Sequence, residues 1–322
     1  MINDLCFEII QKCPNNCVFC SSNSNYDRKD IIDLEMFKKT VNFFCDNGGI
    51  KEISLSGGEP LLHPQIIEIV EFCKQKNIFT TLYTSGIMLN DLDIKDMNFD
   101  NEYIKKIIEN KAKEKFSCIP LKVFEKLKKA GLNKVVFDMQ AAEVDEYNYL
   151  MGTKNNFVNL LDSMRYASKV GIDTSIHFVP NKMNVSQFAD VYEIAELAGI
   201  DEVRLLKFVP QGRGKENRKN LELSEEELKI FIEKCNSLEQ RNTLLKIGIP
   251  LQGENTHLCT AGFDKLVVRY DGILLPCPAF KDVDEEWLEK KGFKKISIYN
   301  NLEEFKSISG VRKTPLCEQI KR

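Results

Sequence analysis

Three cysteines near the start of the chain form the stretch with the clearest chemical meaning. They fall within eight residues, Cys13-Pro-Asn-Asn-Cys17-Val-Phe-Cys20, directly after an apolar run that predicts a strand. Cysteine thiolates are the protein ligands of iron–sulfur clusters, and a [4Fe–4S] cube has four irons. Three local ligands leave one iron open to a ligand that is not protein. The alternatives are a zinc site, which usually takes four protein ligands, or a disulfide.

A second motif, Ser56-Gly57-Gly58-Glu59-Pro60, follows the next predicted strand. Together, the cysteine triplet and this motif resemble the radical S-adenosylmethionine (SAM) superfamily. The resemblance implies that the amino and carboxylate groups of SAM chelate the open iron. It also implies that the reduced cluster cleaves SAM to a 5′-deoxyadenosyl radical, which abstracts a hydrogen from the substrate.

The elements that must position these motifs alternate between strand and helix. Apolar patterns predict an α/β fold with a parallel sheet covered by helices. The predicted strands are 5–10, 50–55, 78–84, 134–139, 172–178 and 202–208, and the predicted helices are 34–45, 64–76, 121–130, 157–170 and 185–198. Six such units resemble the partial (β/α)6 TIM-type barrel of the family, whose chemistry lies at the carboxyl ends of the strands. The predicted barrel domain is 1–214.

Residues 90–118 interrupt this alternation with an insertion after the third strand. The insertion contains a charged helical run at 101–115, in which Ile104, Ile107 and Ile108 form a narrow apolar stripe. One interpretation is a solvated surface helix. The other is a lid or docking element for the substrate, because the insertion follows a loop on the active face.

The C-terminal third carries a second cysteine pattern. Residues 215–245 are expected to be a linker and a bridging helix that opens with a capping box at Ser224. Asp271-Gly272 predicts a β-hairpin. Around that hairpin, Cys259, Gly272 and Cys277 follow the pattern C-x12-G-x4-C, which resembles the auxiliary-cluster domains called SPASM and twitch. We therefore expect residues 246–322 to form a small domain that holds one auxiliary [4Fe–4S] cluster through Cys259, Cys277 and Cys317. The alternative is that Cys259 and Cys277 are packing residues.

The resemblance also assigns positions that bind SAM. The family meets the SAM amino group with the glycine motif, which implicates Gly57, Gly58, Glu59 and Pro60. The physical chemistry agrees, since glycines admit a close backbone and a carboxylate complements an ammonium.

Other SAM contacts are expected from later strands. Thr84 and Ser85 end the third strand, where the family has a Thr-Asn-Gly element near the ribose. Met151-Gly152 stands where relatives have Arg-Gly, so Gln140 or Arg213 is expected to replace the missing arginine. His177 and Asn181 close the fifth strand and could face the adenosine, although a strand histidine is also a common core residue.

Composition excludes several other classes of protein. The chain has 322 residues, 43% of them hydrophobic, and a formal charge of -3. This near balance gives no indication of nucleic-acid binding. No apolar stretch is long enough to span a membrane. Eleven cysteines without an export signal indicate a reducing cytoplasm rather than a secreted disulfide scaffold.

The resemblance to radical SAM enzymes implies hydrogen abstraction from a substrate, and the resemblance to auxiliary-cluster domains implies that this substrate is a ribosomally made peptide. The expected products are a thioether or carbon–carbon cross-link or an epimer, and an epimerase would need a thiol such as Cys118 or Cys235. Expected partners are the peptide and a reductant such as flavodoxin or ferredoxin. Because the cluster loop begins at residue 13, the peptide-recognition domain that often precedes such enzymes is expected to be absent, and a separate leader-binding protein is an expected partner. Two alternatives are an enzyme similar to the one that rearranges GTP for molybdenum cofactor, and a non-catalytic zinc-binding protein.

Overall fold

A nine-stranded sheet forms the centre of the computed structural model, which describes residues 2–94, 100–248, 251 and 260–306. The strands of this sheet and of a separate two-stranded sheet, β4 and β5, are β1 Asp4–Ile10, β2 Glu52–Gly57, β3 Phe79–Thr84, β4 Ile87–Leu89, β5 Phe116–Cys118, β6 Lys134–Asp138, β7 Asp173–Phe178, β8 Glu202–Leu205, β9 Leu244–Ile247, β10 Lys265–Val268 and β11 Leu274–Leu275. The helices are α1 Leu34–Asp46, α2 Ile66–Gln75, α3 Glu102–Lys113, α4 Leu121–Ala130, α5 Val144–Met151, α6 Phe157–Val170, α7 Phe188–Leu197, α8 Arg213–Glu216, α9 Arg218–Leu221, α10 Glu225–Asn236 and α11 Glu285–Lys290.

The main sheet has the strand order β11-β10-β1-β2-β3-β6-β7-β8-β9. Every neighbouring pair is parallel except β10 and β11, which form the predicted hairpin. The six predicted β units are β1, β2, β3, β6, β7 and β8, so the α/β partial-barrel prediction is confirmed. The flanking strands β9 and β10 extend that series by one parallel strand on each side.

Alternation along each strand separates the helix-covered face of the sheet from the barrel interior. In β1, Leu5, Phe7 and Ile9 are fully buried. Phe7 packs against Phe37 of α1 with ring centroids 4.6 Å apart. Glu8 lies between Phe7 and Ile9, so its side chain is on the opposite, interior face of the sheet.

The insertion forms a small ribbon of its own. Strands β4 and β5 pair antiparallel, and α3 between them buries none of its side chains. Ile104 and Ile107 are 49% and 42% exposed, as a surface helix requires. The ribbon contacts the segment that follows the three cysteines, because the ammonium of Lys115 lies 3.3 Å from the ring centroid of Tyr26.

The segment after β11 contacts both flanks of the barrel. Lys281 forms an ion pair with Glu8 of β1, while the backbone N–H of Gly212, beyond β8, donates to Asp282 at 2.7 Å. The hairpin is therefore joined to the barrel sheet and to both of its sides. The division at residues 214 and 245 stays a prediction, and Cys259 and Cys317 lie outside the described residues.

No helix among the described residues has the length and apolar content needed to cross a bilayer.

Candidate active site

A cavity of about 350 Å³ opens at the carboxyl ends of the barrel strands. Six strands or their following loops contribute side chains to it, as expected for this class of sheet. Its lining includes Cys13, Asn15, Cys17, Cys20, Ser56, Gly57, Gly58, Tyr83, Thr84, Ser85, Asp138, Met151, His177, Lys207 and Lys281. The two predicted motifs therefore meet at one place.

The cysteine loop leaves β1 and folds over this cavity. The backbone N–H of Cys13 donates to Asn25 O at 2.9 Å, which closes the loop on its own return. The carboxyl end of α5 supports the loop from below, because Asn16 N–H donates to Met151 O and Val18 N–H donates to Leu150 O. The structure brings all three predicted cluster cysteines to the cavity.

Burial raises the pKa of the Cys13 and Cys17 thiols above the usual cysteine range. A metal centre must therefore displace their protons on binding. Within the described ranges, no three His, Cys, Asp or Glu side chains converge where a single metal ion could sit. A cube binds each thiolate through a different iron, so it needs three sulfurs around one cavity, and that is how this loop is arranged.

Asn15 gives an independent indication that the loop is built to hold a further group. It lies between the first two cysteines, is 1% exposed and lines the cavity. Neither atom of its amide group has a hydrogen-bond partner. Buried polar groups are nearly always paired, so an unpaired amide facing a cavity fits a bound ligand there.

Gly57 and Gly58 lie where two backbone segments approach each other closely. A Cβ at Gly57 would lie 2.2 Å from Ile10 O, and one at Gly58 would lie 2.2 Å from Lys12 O. Gly58 N–H donates to Ile10 O at 2.6 Å. Glycine here lets the end of β2 dock against the cysteine loop.

Glu59 is fully buried, and its carboxylate accepts hydrogen bonds inside the protein. Oε1 accepts from Thr84 Oγ1 at 2.8 Å, and Oε2 accepts from Ser85 N–H at 2.8 Å and from Ser85 Oγ at 2.6 Å. Burial raises the pKa of Glu59 to about 7, although the bonds from Ser85 oppose that rise. The cavity lining includes Thr84 and Ser85 but not Glu59. Pro60 is buried next to it, at the start of a 3₁₀ turn.

His177 lines the cavity and packs edge-on against Tyr83, with ring centroids 5.3 Å apart. Burial, together with the nearby charge of Arg204, lowers the pKa of His177 to about 3. The imidazole is therefore neutral at neutral pH. Asn181 does not line the cavity and instead forms a turn, with its Oδ1 accepting from Met183 N–H at 2.9 Å.

Asp138 is a cavity residue that sequence reasoning missed in favour of Gln140. The amide of Gln140 donates to Asp138 Oδ1 and to His177 O, and its oxygen accepts from Val179 N–H. Gln140 thus orients the acid and does not itself line the cavity. Burial raises the pKa of Asp138 to about 6. The signal in the sequence was a charged residue at the end of an otherwise apolar strand.

Lys281 and Lys207 also line the cavity, and neither belongs to a motif identified in the sequence. Lys281 follows the hairpin, and its ammonium meets Glu8, Ser21 Oγ at 3.1 Å and Ser22 Oγ at 2.6 Å. These partners lie on β1 and on the cysteine loop. The hairpin segment thus supplies a buried cation beside the loop.

The two predicted hydrogen-donor thiols lie away from the cavity lining. Cys118 lies on β5, opposite Ile87. Cys235 lies on α10 at 3% exposure, and burial raises its pKa to about 12. Arg213 also does not line the cavity and instead contacts the back of the cysteine loop.

The parallel strands and the cavity at their carboxyl ends define a partial-barrel protein. Its three-cysteine loop follows the first of these strands. A sequence profile of the Radical SAM superfamily matches residues 7–195. The chain belongs to that superfamily.

Comparison with individual proteins gives more distant similarities. The chain is 22% identical over 280 residues to PqqA peptide cyclase of Gluconobacter oxydans (strain 621H), covering 84% of this chain and 69% of the cyclase. It superposes on SuiB of Streptococcus suis bound to S-adenosylmethionine with a TM-score of 0.68 at 17% identity, covering 94% of this chain. The chain spans 65% of SuiB, just under two thirds.

Two further structures share the fold and were solved with peptides. SuiB bound to its precursor peptide SuiA gives a TM-score of 0.67 at 17% identity and covers 94% of this chain and 64% of SuiB. The protein anSMEcpe with bound AdoMet and the Cp18Cys peptide gives 0.59 at 16% identity and covers 88% of this chain and 75% of anSMEcpe.

Proposed function

We propose that this chain is a radical SAM enzyme that modifies a ribosomally made peptide. The observation that carries the proposal is the meeting of Cys13, Cys17 and Cys20 with the glycine motif around one cavity. The peptide class is supported by the similarity to a peptide cyclase and by the fold shared with a structure bound to its precursor peptide.

In this proposal the three thiolates hold a [4Fe–4S] cluster with one open iron, and SAM binds beside it. When bound and reduced, this pair supplies a 5′-deoxyadenosyl radical that abstracts a substrate hydrogen. Thr84, Ser85, Asp138 and His177 line the space left for SAM and the peptide. Thr84 and Ser85 are buried, which limits the access of water to their side of the cavity.

We also propose one auxiliary [4Fe–4S] cluster at Cys259, Cys277 and Cys317. Cys277 is the member within the described residues, where it precedes the 3₁₀ turn at 278–280. We propose that the product is a cross-linked or epimerised form of that peptide. A reductant of the flavodoxin or ferredoxin type and a leader-binding protein complete the proposed partners.

The proposal is tested on protein purified and reconstituted without oxygen. Iron and sulfide analysis should give about eight irons per chain for two cubes. Adding SAM alone should change the electron paramagnetic resonance signal of the reduced cluster. A variant with Cys13, Cys17 and Cys20 all replaced by alanine should form no 5′-deoxyadenosine. Zinc without iron in the wild-type protein would refute the proposal.

The substrate class has its own test. Synthetic peptides encoded by short reading frames beside the gene should raise 5′-deoxyadenosine formation and emerge modified. A cross-link removes two hydrogens from the peptide, whereas epimerisation in heavy water replaces one carbon-bound hydrogen with deuterium. SAM cleavage without any change in such peptides, combined with turnover of a nucleotide, would refute the peptide assignment.

A further inference from the structure

One residue beyond the barrel strands binds three carbonyl groups of the cysteine loop. The backbone N–H of Arg213 donates to Cys20 O at 3.0 Å. Its guanidinium donates from Nε to Cys17 O at 2.7 Å and from Nη2 to Ser24 O at 2.8 Å. Arginine suits this task because its planar donors are fixed in a fork.

The neighbours of Arg213 support the same contact. The amide of Asn217 donates to Val18 O at 3.1 Å and to Arg213 O at 3.0 Å. Gly212 allows the close approach, since a Cβ there would lie 2.6 Å from Cys20 O at a φ of +52°. The segment 212–217 is therefore shaped to the back of the loop.

These contacts have a structural and an electrostatic consequence. They satisfy four loop carbonyls on the side away from the cavity, which leaves the sulfur side facing inward. The acceptors are neutral carbonyls, so the full guanidinium charge remains beside Cys17. Hydrogen bonding and charge around a cluster set its reduction potential.

We propose that Arg213 is a positioning residue for the iron–sulfur loop, acting through the carbonyls of Cys17, Cys20 and Ser24 and through its charge. This rests on the proposed function, because it assumes that the loop binds a cluster. It gives Arg213 a role different from the SAM-carboxylate contact expected from the sequence.

The test compares Arg213→Met, Arg213→Lys and Asn217→Ala with a matched control, Arg218→Met. Arg218 lies in the adjoining helix α9 and pairs with Glu222 instead of the loop. Each protein is reconstituted identically, and circular dichroism confirms its fold. The readouts are iron release to a chelator, the cluster midpoint potential, and SAM affinity per loaded cluster.

Arg213→Met should release iron on the order of tenfold faster, as expected when a group supporting a metal ligand is lost. Its midpoint potential should shift to more negative values, because the lost cation had favoured the reduced cluster. Arg213→Lys should restore the potential more than the iron retention, since it keeps the charge without the fork. Asn217→Ala should speed iron release without shifting the potential.

SAM affinity per loaded cluster should match the wild type in all of these variants. If Arg213→Met keeps its iron and potential like Arg218→Met but binds SAM more weakly, Arg213 contacts SAM and the inference is overturned. If Arg213→Met behaves like the control in every readout, the inference alone fails. A wild-type protein that binds no cluster refutes the proposed function and this inference with it.

Discussion

Replacing Lys281 with methionine should be among the most damaging changes outside the cluster ligands. The side chains of Lys281 and its ion-pair partner Glu8 are 11% and 2% exposed. Without the lysine, Glu8 keeps the Ser22 hydroxyl at 2.7 Å as a hydrogen-bond donor but loses its ion-pair partner. Removing one partner of a buried ion pair typically costs about 3–5 kcal/mol. We expect Lys281→Met to lose that much free energy of unfolding.

The double variant Glu8→Gln/Lys281→Met separates the charge effect from packing. It removes both charges, so no unpaired ion stays buried, and it should be clearly more stable than Lys281→Met alone. The matched control is Lys38→Met, because Lys38 pairs with Glu35 on the surface, at 34% and 83% exposure. An exposed pair of this kind contributes about 0–1 kcal/mol.

The assay is urea unfolding of the iron-free, reduced proteins at pH 7, followed by circular dichroism, with the free energy taken by linear extrapolation. If Lys281→Met is no less stable than Lys38→Met, the argument from burial is wrong. If the double variant loses as much free energy of unfolding as Glu8→Gln and Lys281→Met lose when added together, the pair is not energetically coupled.

Three further predictions concern other parts of the site. Burial raises the pKa of Glu59 to about 7, so the folded state holds this proton more tightly than the unfolded chain. Wild-type stability should therefore fall relative to Glu59→Gln by roughly 3 kcal/mol between about pH 4.5 and 7, measured by urea unfolding; equal pH slopes would contradict this. Cys277→Ala should still cleave SAM but form no peptide product, because in the proposed function SAM binds the cluster held by Cys13, Cys17 and Cys20; loss of cleavage in a folded variant would contradict this. Gly58→Ala should hold less iron than Gly292→Ala. A Cβ at Gly58 would lie 2.2 Å from Lys12 O, whereas a Cβ at Gly292 would meet nothing within 4 Å. Equal iron loading of the two variants would disprove the close-packing argument.

Local patterns in the sequence determined the family, the barrel and the cysteine loop. The three thiols fall within eight residues, so their convergence follows from one short loop. The six central strands could be predicted because each one is an apolar run of its own between helical periods. The resemblance assigned Gly57 and Gly58 to SAM binding, which stays a prediction; the structure adds the close approach of Ile10 O and Lys12 O as a second reason for glycine there.

Contacts between distant residues were decided by the tertiary structure alone. Arg213 lies 196 positions from Cys17, and Lys281 lies 259 positions from Ser22. No periodicity or spacing links such residues, because their partners are set by which strands become neighbours. For the same reason, the sequence did not show that β9 and β10 would flank the barrel or that Thr84 and Ser85 would bind the carboxylate of Glu59. Sequence spacing fixes ligands carried on one loop, whereas the charges and hydrogen bonds around that loop depend on the packing of the whole sheet.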